Sequence, residues 1–248
     1  MKNIPFNFLK YKLYNLNHII RIGSIRDGGY FVTKRLVENS AFLISAGISY
    51  NAEFERDFKD INPNCRIIMI DGSYNFISYF LRPFYWFFFK KSYKSKISGL
   101  IDMILLKNEE IFIKKFIGTS SGISLSFLID KYIGDEQGYF KMDIEGSEYG
   151  LLDQIIKYKS HFNGISIEFH NVPDHIDEIN NFISSISMGL IGLKINEIGG
   201  LAANGIPNTI ELCFASLEFV NANDYDFITG KQFSNDSLYE LLIPSEDL

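Results

Sequence analysis

Cysteine is scarce: Cys65 and Cys213 are the only two in 248 residues, far apart and in no Cys-x-x-Cys pair. That argues against a disulfide framework and a cysteine-rich zinc site. Basic charge is not in excess. The 24 Lys and Arg against 30 Asp and Glu leave a formal net charge of -6 and a pI near 5.3, which speaks against a general nucleic-acid binder. No apolar run approaches the ~18–20 residues of a membrane-spanning helix. The opening MKNIPFNFLKYKLYNLNHII is interrupted by Lys and Asn and lacks the continuous apolar core of a signal peptide, so the expected location is the cytoplasm. There is no Gly-x-Gly-x-x-Gly fingerprint, which leaves a dinucleotide pyrophosphate site poorly supported. Internal repeats, low-complexity tracts and linkers are missing as well.

What is present is apolar and aromatic. Hydrophobic residues make up 46% of the chain, with 23 Phe and 14 Tyr, enough for one large core. Residues 1–20 read as a leading helix or irregular cap. Arg21–Val32 reads as a hairpin, because Asp27-Gly28 is a type I′ turn signal. Short apolar runs at Ala41–Ser45, Cys65–Ile70, Glu110–Ile117, Gly138–Ile144 and Gly164–His170 predict strands. Helices are expected at 51–60, where Phe54 and Phe58 fall at i, i+4, and at Leu125–Tyr132, Glu148–Tyr158 and Ile176–Met188. The alternation predicts an α/β fold, a parallel sheet with helices on both faces. The last strands, Leu190–Ile198 and Thr209–Ser216, follow one another directly and are expected as an antiparallel hairpin at one edge. The expected organisation is a single domain: cap and hairpin over 1–40, core over 41–217, and a tail over 218–248.

Ligands of open α/β sheets bind beyond the carboxyl ends of the strands. That rule gathers Ser45, Gly47, Asp71, Asp143, Glu145, Glu168 and His170 along one rim. Gly47 permits a sharp turn and close approach of a ligand to its backbone, or is simply a tight strand-to-helix turn. Asp71 can accept hydrogen bonds from a ribose diol, or form a turn before Gly72. In Lys-Met-Asp-Ile-Glu-Gly-Ser-Glu, residues 141–148, Met142 and Ile144 are expected on one side of the strand, with Asp143 and Glu145 on the other or beyond its end. Glu148 is accounted for by the dipole of the helix it opens; Asp143 has no such structural account. Glu168 and His170 alternate onto one side, and His is the natural general base near neutral pH. His175 follows His170 across Pro173, a spacing unsuited to a two-His helical metal site.

These pieces resemble one family. Asp27-Gly-Gly-Tyr30, Leu43-Ile-Ser-Ala-Gly-Ile-Ser49 followed by Phe54-Glu55, Ile70-Asp71, Lys141–Glu148 and Ile167-Glu-Phe-His170 resemble the FkbM-type S-adenosylmethionine-dependent methyltransferases, from about Arg21 to about Leu217. The resemblance implies a Rossmann-like class I methyltransferase fold, with seven strands and an antiparallel last strand. It implies S-adenosylmethionine as cofactor, held by Asp27, Gly28, Gly29, Ser45, Gly47, Ser49, Asp71 and Asp143. The Asp-Gly-Gly turn would close over the amino-acid end, with Arg21 or Arg26 available for its carboxylate. It also implies O-methylation of a saccharide or glycan precursor, with His170, Asp143 and Glu168 as catalytic candidates. The first motif departs from the common pattern, since Ser45 stands where an acid is usual and a single glycine follows. A divalent ion on Asp143, Glu145 and Glu168 is the lesser alternative to direct base catalysis.

Arg82–Lys96 interleaves six consecutive aromatics with five basic residues. It reads as a helix packing its rings on the sheet with lysines extended to solvent. The sharper reading is a lid or a contact with the inner face of a membrane that would bring the enzyme to a lipid-linked glycan. Two other function classes compete with methyl transfer: a non-catalytic nucleoside-binding or scaffold protein of the same fold, and a nicotinamide-dependent sugar oxidoreductase, which the missing glycine fingerprint disfavours.

Overall fold

The structure, a computed structural model, describes residues 2–3, 12–14, 19–24, 28–49, 51–73, 101–102, 104–106, 110–118, 121–196, 199–220, 225–227 and 232–233. The strands are β1 (Lys2–Asn3), β2 (Lys12–Tyr14), β3 (Ile19–Ile22), β4 (Tyr30–Thr33), β5 (Phe42–Ala46), β6 (Arg66–Ile70), β7 (Ile111–Ile113), β8 (Gly138–Met142), β9 (Phe162–His170), β10 (Gly189–Ile195), β11 (Thr209–Ala215), β12 (Tyr225–Phe227) and β13 (Gln232–Phe233). The α-helices used below are α1 (Lys34–Glu38), α2 (Glu53–Ile61), α3 (Leu125–Leu128), α4 (Leu152–Lys157) and α5 (Ile176–Ile186).

One sheet runs β12-β2-β10-β11-β9-β8-β5-β6-β7. Its core from β7 to β9 is parallel throughout, while β11 runs antiparallel to both neighbours. This is the mostly parallel, doubly covered architecture with an antiparallel last strand that the alternating pattern predicts. The chain leaves β5 toward β6 and β7, then returns to lay β8 on the other side of β5. The strand order therefore reverses between β5 and β8, the topological switch point where such sheets bind ligands.

Two details differ from the sequence reading. The β10–β11 hairpin exists, but not as the edge. The second strand, β11, takes the inner place, pairing Thr209 with His170 through Ala215 with Gly164, and β2 and β12 lie beyond β10. Both hairpin strands are buried along their whole length, so their apolar character could not reveal which one docks. The third core strand is also shorter than Glu110–Ile117, because after Ile113 the chain turns to close the Ile117–Ile123 bridge.

Strand alternation feeds two cores. Phe42, Ile44, Ala46, Phe140, Met142, Ile165, Ile167 and Phe169 face α3, α4 and α5. Leu43, Ile67, Met69, Tyr139 and Cys213 face α1, α2 and the β3–β4 hairpin. A hairpin forms, Ile19–Ile22 against Tyr30–Thr33, but its register pairs Ile22 with Tyr30, so seven residues, 23–29, connect the strands where a two-residue Asp27-Gly28 turn was expected; Asp27 and the 82–96 segment lie outside the described residues. Phe54 and Phe58 are buried on one side of α2 and tilt against Tyr139, with ring centroids 6.2 and 5.5 Å away. The second expected helix is instead α3 continued by a π-helical turn, Ile129–Ile133, and the third starts as a 3₁₀ turn, Glu148–Leu151.

Candidate active site

Gly47 is where the site starts. Its N–H donates to Ile70 O (2.9 Å), and the Asp143 N–H donates to Ala46 O (2.9 Å), so the chain beyond β5 is gripped from both sides. Gly47 has φ +77°, and a Cβ there would sit 1.5 Å from the carbonyl oxygen of Asp143. No side chain fits. The two strand ends at the switch point thus touch backbone to backbone.

Beside this contact lies a cavity of about 210 Å³, walled by Gly47, Ser49, Asp71, Ser73 and Asp143 and by Lys115, Phe116 and Ile117. Asp71 is buried, and its carboxylate is already held: Oδ2 accepts from Ser49 N (2.6 Å), and Oδ1 from Ser73 N (2.7 Å) and Ser73 Oγ (2.6 Å). An ionised carboxylate has roughly four acceptor sites. One remains for a ligand hydroxyl unless a serine moves. Lys115–Ile117 was invisible to the sequence reading, for it carries no motif and reaches the cavity only through the turn after β7.

Ser45 does not reach this cavity. It is fully buried, and its hydroxyl donates to Glu55 Oε1 of α2. Lys141, also buried, donates to Gly47 O (3.0 Å), lies 3.8 Å from Glu55 Oε1, and sits over the Tyr30 ring. Glu55 of the following helix is thus the carboxylate beside the end of β5, and Lys141 of β8 lies next to it. Gly28 and Gly29 precede β4, and a Cβ on Gly28 would lie 3.6 Å from Asn51 Nδ2. Arg21 is engaged within the fold, its guanidinium donating to Ser24 O (3.1 Å) and lying 3.6 Å from Glu211.

Asp143, Glu168 and His170 converge on the same rim. One ligand atom of each lies within 4.8 Å of the others. His170 Nε2 is 3.7 Å from Glu168 Oε1, 4.0 Å from Asp143 Oδ1 and 3.6 Å from Glu145 Oε2, while its Nδ1 is 2.8 Å from Glu148 Oε1. Glu148, read from sequence as a helix-dipole acid, is instead fully buried under the histidine. Glu145 is exposed and adopts φ +55°; Ser49 and Asn171, at the ends of β5 and β9, are likewise left-handed. Three strand ends of this rim carry non-glycine residues in a costly conformation, as functional sites often do.

Glu168 is buried and gripped by Asn196, which carried no sequence signal and whose Nδ2 donates to Oε1 (2.8 Å), and by Tyr30 of the Asp-Gly-Gly-Tyr motif, whose OH approaches Oε2 (3.4 Å). Across the sheet Glu168 pairs in register with Glu211, a repulsive arrangement. Lys194 Nζ, 2.7 Å from Glu211, and Arg21 relieve it.

Electrostatics follow from this crowding. Burial, reinforced by the charge of Glu168, pushes the Asp143 carboxyl up to about 7, with Lys141 and His170 opposing. Burial lowers the affinity of His170 for its proton. The hydrogen bond and charge of Glu148, then the charges of Glu168 and Asp143, outweigh it and raise the imidazole to about 9.

No protein-family model and no curated protein matches the chain. Among solved structures, similar chains include a fibrillarin pre-rRNA processing protein of Methanococcus jannaschii, 11% identical, covering 84% of this chain and 88% of its own, TM-score 0.43. A precorrin-6Y C5,15-methyltransferase of Geobacter metallireducens is 11% identical, covering 73% and 82%, TM-score 0.40. A 16S rRNA (adenine(1408)-N(1))-methyltransferase of Catenulisporales acidiphilia is 8% identical, covering 80% and 99%, TM-score 0.34.

Proposed function

We propose that the protein is an S-adenosylmethionine-dependent O-methyltransferase acting on a hydroxyl of a saccharide or glycan precursor. The observation that carries this reading is the convergence of Asp143, Glu168 and His170 beside a cavity at the switch point, where Gly47 offers bare backbone and Asp71 a fixed carboxylate. Asp71 would accept from a ribose hydroxyl, and the exposed Phe116 ring would cover the base. Bound there, S-adenosylmethionine supplies a methyl group on a sulfonium; a carbon–oxygen bond forms as the carbon–sulfur bond breaks, and the acceptor loses a proton.

His170 Nε2 would take that proton, with Asp143, 4.0 Å away, stabilising the imidazolium that results. A positioned base contributes ~10²–10⁴-fold, and alignment of donor and acceptor a further large share. Neutral polyols suit a rim of carboxylates, which can accept their hydroxyl hydrogens. The tests are calorimetry with S-adenosylmethionine, then a panel of nucleotide sugars and glycan fragments scored for S-adenosylhomocysteine. Binding plus acceptor-dependent product is expected. Binding without turnover on any acceptor would favour a scaffold, and no binding would remove the reading.

A second reading has its own observation. Two carboxylate oxygens and an imidazole nitrogen lie within 4.8 Å of one another, a donor set that suits Mg²⁺ or Mn²⁺. An ion on Asp143, Glu168 and His170 would acidify the acceptor hydroxyl. Activity abolished by chelator and restored by Mn²⁺ would select it; full activity in chelator would select the base.

A further inference from the structure

We infer that Glu148 is a positioning residue of this site, fixing which nitrogen of His170 faces the reacting groups; the catalytic half of this statement rests on the reading of His170 as the base. The ring stands between two sets of carboxylates. On one side Glu148 Oε1 lies 2.8 Å from Nδ1, a hydrogen bond. On the other, Asp143, Glu145 and Glu168 lie 3.6–4.0 Å from Nε2, beyond hydrogen-bond length. A carboxylate offers only acceptors, so the proton of the neutral ring belongs on Nδ1 and the lone pair on Nε2. Without Glu148 the balance reverses. The other acids would draw the proton to Nε2 and turn the lone pair into the protein, where no acceptor hydroxyl reaches.

The placement of Glu148 is specific. Gly146, at φ +100°, donates its N–H to the same Oε1 (3.0 Å), and the 3₁₀ turn over Glu148–Leu151 delivers the side chain beneath the ring. The other face of the residue is anchored as well, since Tyr149 OH donates to His170 O. Glu148 is fully buried, and its Oε2 has no hydrogen-bond partner among the described residues. Burying an acid this way costs free energy, and an exposed acid would serve the helix dipole as well. The histidine is what the burial serves.

The test uses full-length protein labelled with ¹⁵N-histidine, the His170 signals being identified by their loss in His170→Asn. A downfield proton coupled to Nδ1 is expected in the wild type once the ring is neutral, above about pH 9. Glu148→Met, similar in volume and unable to accept, should lose it and shift the neutral ring to the Nε2–H form. Glu148→Gln, whose amide oxygen still accepts, should partly restore it. This readout needs neither cofactor nor acceptor, so it stands whatever reaction is found. In turnover, Glu148→Met should lower kcat by ~10²-fold, with KM and cofactor affinity within about threefold, and Glu148→Gln should recover part of that. An Nε2–H ring in the wild type, or an unchanged tautomer in both variants, overturns the inference. So does a wild-type kcat in Glu148→Met. Should Glu148→Met fail to fold, Glu148→Gln decides alone, a weakened Nδ1 proton supporting the inference and an unchanged one overturning it.

Discussion

Between His170 Nε2 and Asp143 Oδ1 there are 4.0 Å, and the two groups compete for one proton in a partly desolvated rim. The pH at which the site becomes basic therefore differs from that of a free histidine. If His170 accepts the acceptor proton, turnover should rise with pH until about 9, where the imidazole is held, and His170→Asn should abolish the rise. A limb complete near 7 would transfer the role to Asp143. The log kcat profile of the wild type and both Asn variants separates the cases. Cofactor binding is tested at a different residue. Asp71→Ala should weaken it by ~1–3 kcal/mol, the range for leaving buried partners unpaired. Asp71 also organises Ser49 and Ser73, so thermal melting must accompany the calorimetry, and unchanged affinity would remove Asp71 from the site. Residues of this kind were legible beforehand for one reason: a charged side chain at the end of an apolar strand has no structural account. The partners that Glu148, Tyr30 and Asn196 meet in the fold were not. Each of these residues owes its role to a partner 22, 138 or 28 positions away, and no local pattern encodes such a bond.

At the scale of elements, the β5 end and the β8 end form one unit. Gly47→Ala would put a methyl group into the Asp143 carbonyl, 1.5 Å away, at a φ of +77°. The strands must part, so the expected loss is more than ~2 kcal/mol by denaturation, with cofactor affinity lost alongside. Gly200→Ala is the control. It shares the left-handed backbone (φ +65°) but meets nothing within 4 Å, so only the ~1 kcal/mol of strain should appear. Equal losses in the two variants would mean that the strand ends do not depend on their close approach. The sequence carried the central elements well, because β5 and β6 are short apolar runs, β8 and β9 are rich in Phe, Tyr and Ile, and Phe54 and Phe58 mark the buried side of α2. It could not rank β10 against β11, both wholly buried, nor foresee that β2 and β12 extend the sheet from the expected cap and tail.

For the molecule as a whole, the two perturbed groups act in one direction. The raised His170 contributes stability that is fully present below its unfolded value near 6.5 and is lost as pH climbs through about 9. Asp143 is also raised, from 3.8 to about 7. Between those values the folded state binds the proton more tightly than the unfolded chain. Stability therefore falls as pH rises across that window, and above it the ionised carboxylate remains a fixed penalty. Asp143→Asn removes that penalty while keeping shape and hydrogen-bonding capacity. The gain should be small near pH 4, grow toward pH 7, and then level off. Each pKa unit corresponds to ~1.36 kcal/mol, but the variant also takes from His170 one of the charges that hold its proton, an offset in the opposite sense. The net expectation at pH 8 is about 1–2 kcal/mol, or roughly 2–8 °C in Tm for a chain of this size. Stability gained in this way would fit a residue kept for the proposed reaction and not for the fold. A Tm that falls on Asp143→Asn at pH 8 would instead make Asp143 a structural partner of Lys141 and His170, and its carboxylate would have to be explained by the fold alone.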